Sequence, residues 1–368
     1  MFPKIVLGIY LVSTLIQIAY WVVLFASILR YREKSMSQIQ NPVTVILCAK
    51  NEAGNLKKNL PRILNQNYHL QDVIVVNDNS TDSSAQVLLD IRTNQKTFTI
   101  VNAIKQSTEL QSKKSALAQG IEKANTEVLL MTDADCFPAS ENWVRKMQQK
   151  LTGPIEIVLG YSPYAKLKGW LNAFIRFDTL MVAIQYFSMS LAGMSYMGVG
   201  RNLAYKKSLY KKTGGFEKHL HILSGDDDLF IQEAANKSNV AINLDKDSFI
   251  ISEPKKTWKE FFFQKARHIT TGKTYKLSHT VLLGIFVMTL ILHYLGGIGL
   301  IAYQYFIQAV IVSMILKLGI TWGIFSKLAK VFKEGDLVKW FPILEMNFMI
   351  FNILLTPTLM TYKPTKWK

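Results

Sequence analysis

The stretch from Ile5 to Leu29 contains no Asp, Glu, Lys or Arg, and roughly 20 apolar residues are enough to cross a bilayer. A segment of this kind commits to lipid unless it is a cleaved leader. A leader needs a basic start, a shorter apolar core and a small-residue cleavage site. Here a single Lys4 precedes a long core rich in Tyr and Trp. Residues 1–30 therefore read as a retained transmembrane anchor. Arg30, Arg32 and Lys34 come directly after it, and positive charge beside a span marks its cytoplasmic side. The chain beyond Lys34 is expected to face the cytoplasm, as part of a multi-pass protein of the cell membrane.

The far end is also apolar. From Val281 to Phe325 the only Lys, Arg, Asp or Glu is Lys317, a length that suits two helices joined by a tight turn near Gly296-Gly297 or Tyr303-Gln304. The Lys-rich segment Lys327 to Lys339 returns the chain to the cytoplasm. Leu337 to Tyr362 is a third apolar stretch, with Glu345 and Asn347 inside it. A carboxylate at membrane depth needs a partner or a water-filled groove. Residues 279–368 thus read as a membrane region of two to three helices. If the last one spans, the basic end Lys363 to Lys368 runs against the charge rule.

These segments decide what the composition means. Lys plus Arg total 43 against 26 Asp plus Glu, a net charge of +17, which alone invites a nucleic-acid partner. The mean hydropathy of +0.14 is too apolar for a soluble nucleic-acid-binding domain, so nucleic acid is excluded. The charge suits the cytoplasmic side of a membrane protein, facing anionic lipid and an anionic substrate. Two cysteines, Cys48 and Cys136, cannot make a disulfide framework and read as small packing residues.

Residues 40–278 have a different pattern, with short β-branched runs alternating with helical stretches. Val43 to Leu47, Val73 to Val76, Phe98 to Val101 and Val128 to Met131 read as strands. Asn55 to Gln66, a segment from Ser83, and Lys113 to Ala124 read as helices, with Pro61 awkward inside the first. Fully apolar strands alternating with helices predict an α/β domain with a mostly parallel sheet covered on both faces. Residues 169–197 are apolar but include Arg176 and Asp178, which suggests a helix against the membrane surface or the bundle. Ligands on parallel sheets sit beyond the carboxyl ends of the strands. That rule selects Ala49 to Glu52, Asn77 to Ser80 and Thr132 to Cys136.

Polar residues cluster at those points. Asp133-Ala134-Asp135 ends an apolar run, and two carboxylates one residue apart can hold magnesium or manganese through oxygen. Asn77 to Asp82 fits an Asx turn capping a helix, or a nucleoside contact through Asp78. Lys113 could meet phosphate. Asp226, Asp227 and Asp228 repel one another, which raises at least one pKa. Such a group near a substrate hydroxyl suits a general base, although a helix N-terminus also favours the charge. Gln264 and Arg267 lie three apart on one helix face, able to hold diphosphate or acceptor oxygens. His219 and His221 read as a solvated loop, and Phe261-Phe262-Phe263 as a packing run.

Taken in order, these segments resemble the membrane-anchored family 2 inverting glycosyltransferases, whose catalytic domain has the GT-A fold. Val75 to Asp82 is similar to the family's V-D-D-G-S-T-D, and Lys113 to Ile121 to its G-K-x-x-A-L-N-x-G-I. Asp133 to Asp135 matches D-x-D, Gly214-Gly215-Phe216 matches G-G-F, Asp226 to Leu229 matches E-D-x-D-L, and Gln264 to His268 matches Q-x-x-R-W. Four positions depart: Asn77 and Asn79 replace Asp and Gly, Gly225 stands where Glu is frequent, and His268 replaces Trp. The last departure favours single addition over processive synthesis.

The resemblance implies an α/β GT-A domain over residues 40–278 between the membrane segments, an enzyme of the hexosyl- or N-acetylhexosaminyltransferase class, and a divalent cation, manganese or magnesium. It implies a nucleotide-sugar donor bound by Asn51, Glu52, Asp78, Lys113, Asp133, Gln264 and Arg267. Asp135, with Asp133, would hold the metal, and Asp226 would be the base, with Asp227 in reserve. Gly214, Gly215, Phe216 and His268 would face a lipid-linked or glycan acceptor in polysaccharide or glycolipid synthesis. The competing expectations are a processive synthase of the same fold and a non-catalytic membrane scaffold.

Overall fold

The computed structural model describes residues 1–32, 39–94, 98–104 and 113–362. Lys34 of the first basic flank and the terminal run Lys363 to Lys368 lie outside the described residues. Nine strands are assigned among them: β1 Val43–Ala49, β2 Gln71–Asn77, β3 Thr99–Asn102, β4 Val128–Asp133, β5 Cys136–Pro138, β6 Ile157–Leu159, β7 Leu203–Lys206, β8 Val240–Ile242 and β9 Ile250–Ser252. Seven form one sheet in the order β3-β2-β1-β4-β7-β6-β8, and β5 pairs with β9.

The sheet is parallel from β3 through β4, and β6 and β8 are also parallel, while β7 is antiparallel to both neighbours. This is the expected mostly parallel α/β sheet. Every residue of β1 is buried, which is why its run has no charged residue and is apolar apart from Thr44. On one face the helices Ala53–Leu64 and Trp143–Gln148 bring Leu56, Leu60, Ile63 and Trp143 against Val45, Val75 and Leu130. On the other, Leu117 and Ile121 of the helix Lys113–Lys123 pack with Ile46, Val76 and Met131. Gly120 sits so close that a Cβ there would stand 2.7 Å from a Val76 methyl.

Among the described residues, four helices are long and apolar enough to cross a membrane: Phe2–Arg30, Leu277–Ala302, Ile307–Val331 and Gly335–Leu355. The turn between the second and third falls at Tyr303 to Phe306. Of the two expected places, Tyr303-Gln304 is therefore right, and Gly296-Gly297 lies inside the helix. The glycines serve packing instead, since a Cβ on Gly296 would meet the Cβ of Tyr10 at 3.5 Å. Glu345 has the partners that its depth demands. Its Oε2 accepts from Lys317 Nζ and from Tyr294 Oη, each at 2.5 Å, so the carboxylate and ammonium are buried together.

The apolar helix expected over 169–197 runs from Trp170 to Leu191 and is buried along most of its length, Arg176 and Asp178 included. Phe177 meets Phe325, Phe341 and Phe348 of the membrane helices. Arg176 donates to Glu334 and, at 2.7 Å, to Asp336. Lys265 lies 2.8 Å from Asp178. This one helix therefore joins the turn between two membrane helices to the helix Trp258–Ile269 that carries Gln264 and Arg267.

Candidate active site

Strand register brings the motifs to one edge. Ala49 stands opposite Asn77, and Cys48 opposite Asp133, so β1, β2 and β4 finish side by side and their following loops share one space. Those loops are stitched together. The Asn51 amide N–H donates to Ser80 Oγ at 3.0 Å, and Asn51 Oδ1 accepts from the Thr81 N–H at 2.8 Å. Glu52 is buried, and its N–H donates to Ser84 Oγ at 2.8 Å. Asn79 has φ +52°. The left-handed conformation explains why a family glycine can be replaced by Asn, the residue type that best tolerates it. Asp78 is buried beside Lys50, 3.5 Å away.

Lys113, at the N-terminus of its helix, lies 2.8 Å from Asp133 and 2.9 Å from Asp226. A cavity at this point is lined by Lys113 and Asp226 together with Cys48, Thr132 and Gly200. Cys48 marks the centre of the charge. Burial pushes its thiol up, Lys113 opposes this, and Asp226, Asp133 and Asp78 add to it. Carboxylates from three distant motifs thus act on a single sulfur.

The three adjacent aspartates divide the work. Asp226 lines the cavity; burial acts to raise its carboxyl, but Lys113 holds it below the usual carboxylate range. Asp227 turns to the backbone, accepting from the Gly200 N–H at 2.7 Å and the Asp228 N–H at 2.8 Å. Burial, then the charges of Asp226 and Asp228, push it up to about 7. Asp228 is buried and accepts from Thr271 Oγ1 at 2.6 Å and Tyr275 Oη at 2.7 Å. It fixes the segment that leads into the membrane helix Leu277–Ala302.

A divalent cation would find a workable donor set. Ligand atoms of Asp133, Asp135 and Cys136 lie within 4.8 Å of one another. Burial, then Asp133, raises the Asp135 carboxyl, the strain that a bound cation relieves. Cys136 donates to Asp135 Oδ1 at 3.2 Å, and burial keeps its thiol protonated, so the two carboxylates are the donors that fit a hard, oxygen-seeking ion. Thr132 Oγ1, between cavity and D-x-D, is buried without a hydrogen-bond partner among the described residues.

Other expected residues are spread more widely. Gln264 donates to Tyr164 Oη at 3.1 Å, and its Oε1 is buried without a partner among the described residues. Arg267 is partly buried on the same helix and His268 is exposed. Gly214 and Gly215, at φ +79° and +60°, end the helix Lys207–Lys212, and Phe216 is buried against Tyr210 and Phe230. That triplet packs a turn and does not line the cavity. His219 leaves the expected solvated loop for Glu233, at 3.3 Å, while His221 is exposed.

Two residues were missed by sequence reasoning. Lys114 is buried, donates to the carbonyls of His219 and Ile222 at 2.7 and 3.0 Å, and is pushed down to about 8 by burial. It ties down the loop before the acidic triplet. Arg201 lies in the turn Gly200–Asn202 just before β7. Met131 pairs with Leu203 in that antiparallel ladder, so Arg201 falls two residues past the last pair on one side and Asp133 two past it on the other.

The model of "Glycosyl transferase family 2" matches residues 44–214. Residues 44–214 are a family 2 glycosyl transferase domain. Over 93 residues the chain is 30% identical to a poly-beta-1,6-N-acetyl-D-glucosamine synthase of Staphylococcus aureus strain MSSA476, covering 25% of this chain and 21% of that one. A Staphylococcus epidermidis synthase of the same name is 28% identical over 102 residues, covering 28% and 24%. The chain thus matches less than a quarter of the length of these curated relatives. Among solved structures it is similar to a mannosyltransferase of Pyrobaculum calidifontis in complex with GDP-Man and Mn2+, with TM-score 0.58 and 16% identity over 94% of this chain and 99% of that one. The shared fold is the GT-A α/β architecture. Asp226 to Asp228 and Gln264 to His268 lie beyond the matched segment.

Proposed function

We propose that this family 2 glycosyltransferase moves a hexosyl or N-acetylhexosaminyl group from a nucleoside-diphosphate sugar to an acceptor hydroxyl, with inversion at the anomeric carbon. The observation that carries the reading is the lysine shared by Asp133 and Asp226, because it ties the donor-side and base-side motifs into one cavity. A divalent cation on Asp135 and Asp133, manganese or magnesium, would supply charge neutralisation for the departing diphosphate. Lys113 adds a cation on the same side. Asp78, at the end of β2, contacts the nucleoside.

Asp226 is the base on geometric grounds, which take precedence over pKa. It faces the cavity, whereas both oxygens of Asp227 are engaged by backbone N–H groups. The acceptor oxygen bonds to the anomeric carbon as the bond to the diphosphate breaks, and Asp226 takes the hydroxyl proton.

The acceptor is a lipid-linked sugar or glycan presented at the cytoplasmic membrane surface. The apolar helices and the lysines Lys327, Lys330, Lys333 and Lys339 on the domain side support that placement. The poly-N-acetylglucosamine synthases among its relatives keep polymer formation in view, while His268 in place of Trp favours single addition. Incubating the detergent-purified chain with labelled nucleotide sugars, manganese and a membrane lipid extract, then sizing the products, tests this. A single added residue on a lipid supports the reading. A ladder of products would replace it with a polymerase, and no transfer from any donor would favour a binding scaffold.

A further inference from the structure

Arg201 is a cation placed beside the D-x-D carboxylates without being spent on them. A guanidinium stays charged at any working pH, so a partly buried one needs a counter-charge close by. Its described hydrogen bonds go to neutral oxygens: Nε donates to Ser162 Oγ at 2.7 Å and Nη2 to the Ser162 carbonyl at 3.1 Å. Among the described residues no carboxylate comes within ion-pair distance of it, and Nη1 has no hydrogen-bond partner. The remaining edge of the fork is therefore available.

The group is also fixed in place. Its carbon lies 4.9 Å from the centre of the Tyr164 ring, and Gln264 donates to that ring's hydroxyl at 3.1 Å. Asn202, next in the chain, is fully buried. It accepts from Trp143 Nε1 at 2.9 Å and donates to the carbonyls of Tyr161 and Ser248 at 2.7 and 2.8 Å. Gly200, on the other side, lines the cavity with Lys113 and Asp226. The β4–β7 register sets Arg201 level with Asp133. A fork so held, level with carboxylates suited to a cation and next in the chain to the cavity-lining Gly200, matches the planar, paired oxygens of a phosphate.

We propose that Arg201 is a second cation of the donor site, binding the diphosphate of the nucleotide sugar and offsetting the charge of the leaving nucleoside diphosphate. The role rests on the proposed nucleotide-sugar donor. As the glycosidic C–O bond breaks, its electron pair stays on the terminal phosphate oxygen. The acceptor oxygen forms the new bond, and its proton goes to Asp226. Arg201 exchanges no proton and acts by charge alone. Gln264 contributes through Tyr164, by holding the ring on which the guanidinium rests.

The test uses the full chain in detergent and two ligands. Inorganic pyrophosphate is titrated with magnesium present, monitored by calorimetry, and manganese is titrated alone, monitored by electron paramagnetic resonance. Arg201→Gln should weaken pyrophosphate about 10- to 100-fold, the scale of a lost charge-assisted fork, while manganese affinity is kept or tightened. Arg201→Lys keeps the charge without the fork, should fall between, and carries the test if the Gln variant does not fold. Unchanged pyrophosphate affinity in both variants overturns the proposal. So does a parallel loss of manganese affinity, which would make Arg201 merely structural. Failure of the unaltered chain to bind pyrophosphate would instead overturn the donor reading, and the role of Arg201 with it.

Discussion

Lys113 Nζ lies 2.9 Å from an Asp226 oxygen. The pair joins a helix on the parallel half of the sheet to a loop on its antiparallel side, and the same ammonium also reaches Asp133. Burial opposes the charge on Lys113, but the two carboxylates outweigh it and hold the ammonium well above its ordinary pKa. In the proposed reaction an incoming diphosphate would compete with these carboxylates for Lys113, which would couple donor arrival to the state of the base.

Removing that ammonium should change the pH profile. Lys113 holds Asp226 below the usual carboxylate range against the effect of burial, so Lys113→Gln lets the Asp226 pKa rise. The base must be ionised to work, and the acidic limb of the transfer rate should therefore move to higher pH. Donor affinity should also fall, by about 10- to 100-fold for a lost charge-assisted contact. A pH–rate profile superimposable on that of the unaltered enzyme would show that Lys113 does not govern the base.

Asp226→Asn removes the proton acceptor and keeps the shape. Transfer should drop at least about 100-fold, the range of a lost general base, while nucleotide-sugar binding stays within a few-fold. Comparable turnover by the variant would move the role to Asp227.

Much of this was legible in the sequence, for physical reasons. Strands β1, β2 and β4 are buried on both faces at their centres, so they read as short, largely apolar runs, and the loops expected to bind ligand come at their carboxyl ends. The first three membrane-length helices declare themselves by their scarcity of charge, whereas Asp336, Lys339 and Glu345 left the fourth, Gly335–Leu355, open between a span and an interfacial helix. Strand β7 was not legible. It is four residues long, and its antiparallel insertion between β4 and β6 is set by tertiary pairing alone. Arg201 was lost with it, because only that pairing brings Gly200 to Asn202 beside Asp133. The family G-G-F motif was seen, but sequence similarity could not tell that Phe216 packs inward against Phe230.

The acidic triplet predicts how stability depends on pH. Burial, Asp226 and Asp228 raise Asp227 to about 7, above its value in an unfolded chain, so between about pH 4 and 7 the folded state binds the extra proton. Stability should therefore fall as pH rises through that window. Melting temperatures of the metal-free chain measured across it should decline, and Asp227→Asn should flatten the decline. An equal slope in the variant would place the titrating group elsewhere.

Arg176 holds the domain to the turn between two membrane helices. Its partner Glu334 has a side chain only 1% exposed, so Arg176→Ala leaves that buried carboxylate to the half-exposed Lys166, 3.7 Å away, and should cost up to about 3–5 kcal/mol. Combining Arg176→Met with Glu334→Leu should recover part of that loss, since the buried carboxylate is then gone and the exposed Asp336 keeps Lys166 as its partner. Thermal unfolding in detergent reads both effects. A single variant as stable as the parent would mean that the pair holds nothing.

The central claim is that Asp133 and Asp135 load a cation into the cavity that Lys113 and Asp226 line, and that a nucleoside-diphosphate sugar binds there. Thermal stabilisation of the detergent-purified chain by a panel of nucleotide sugars tests it most directly, with manganese, with excess chelator, and in Asp135→Asn. The expected result is stabilisation by at least one sugar nucleotide in manganese, lost on chelation and lost in the variant. Stabilisation that survives both chelator and Asp135→Asn would contradict the account.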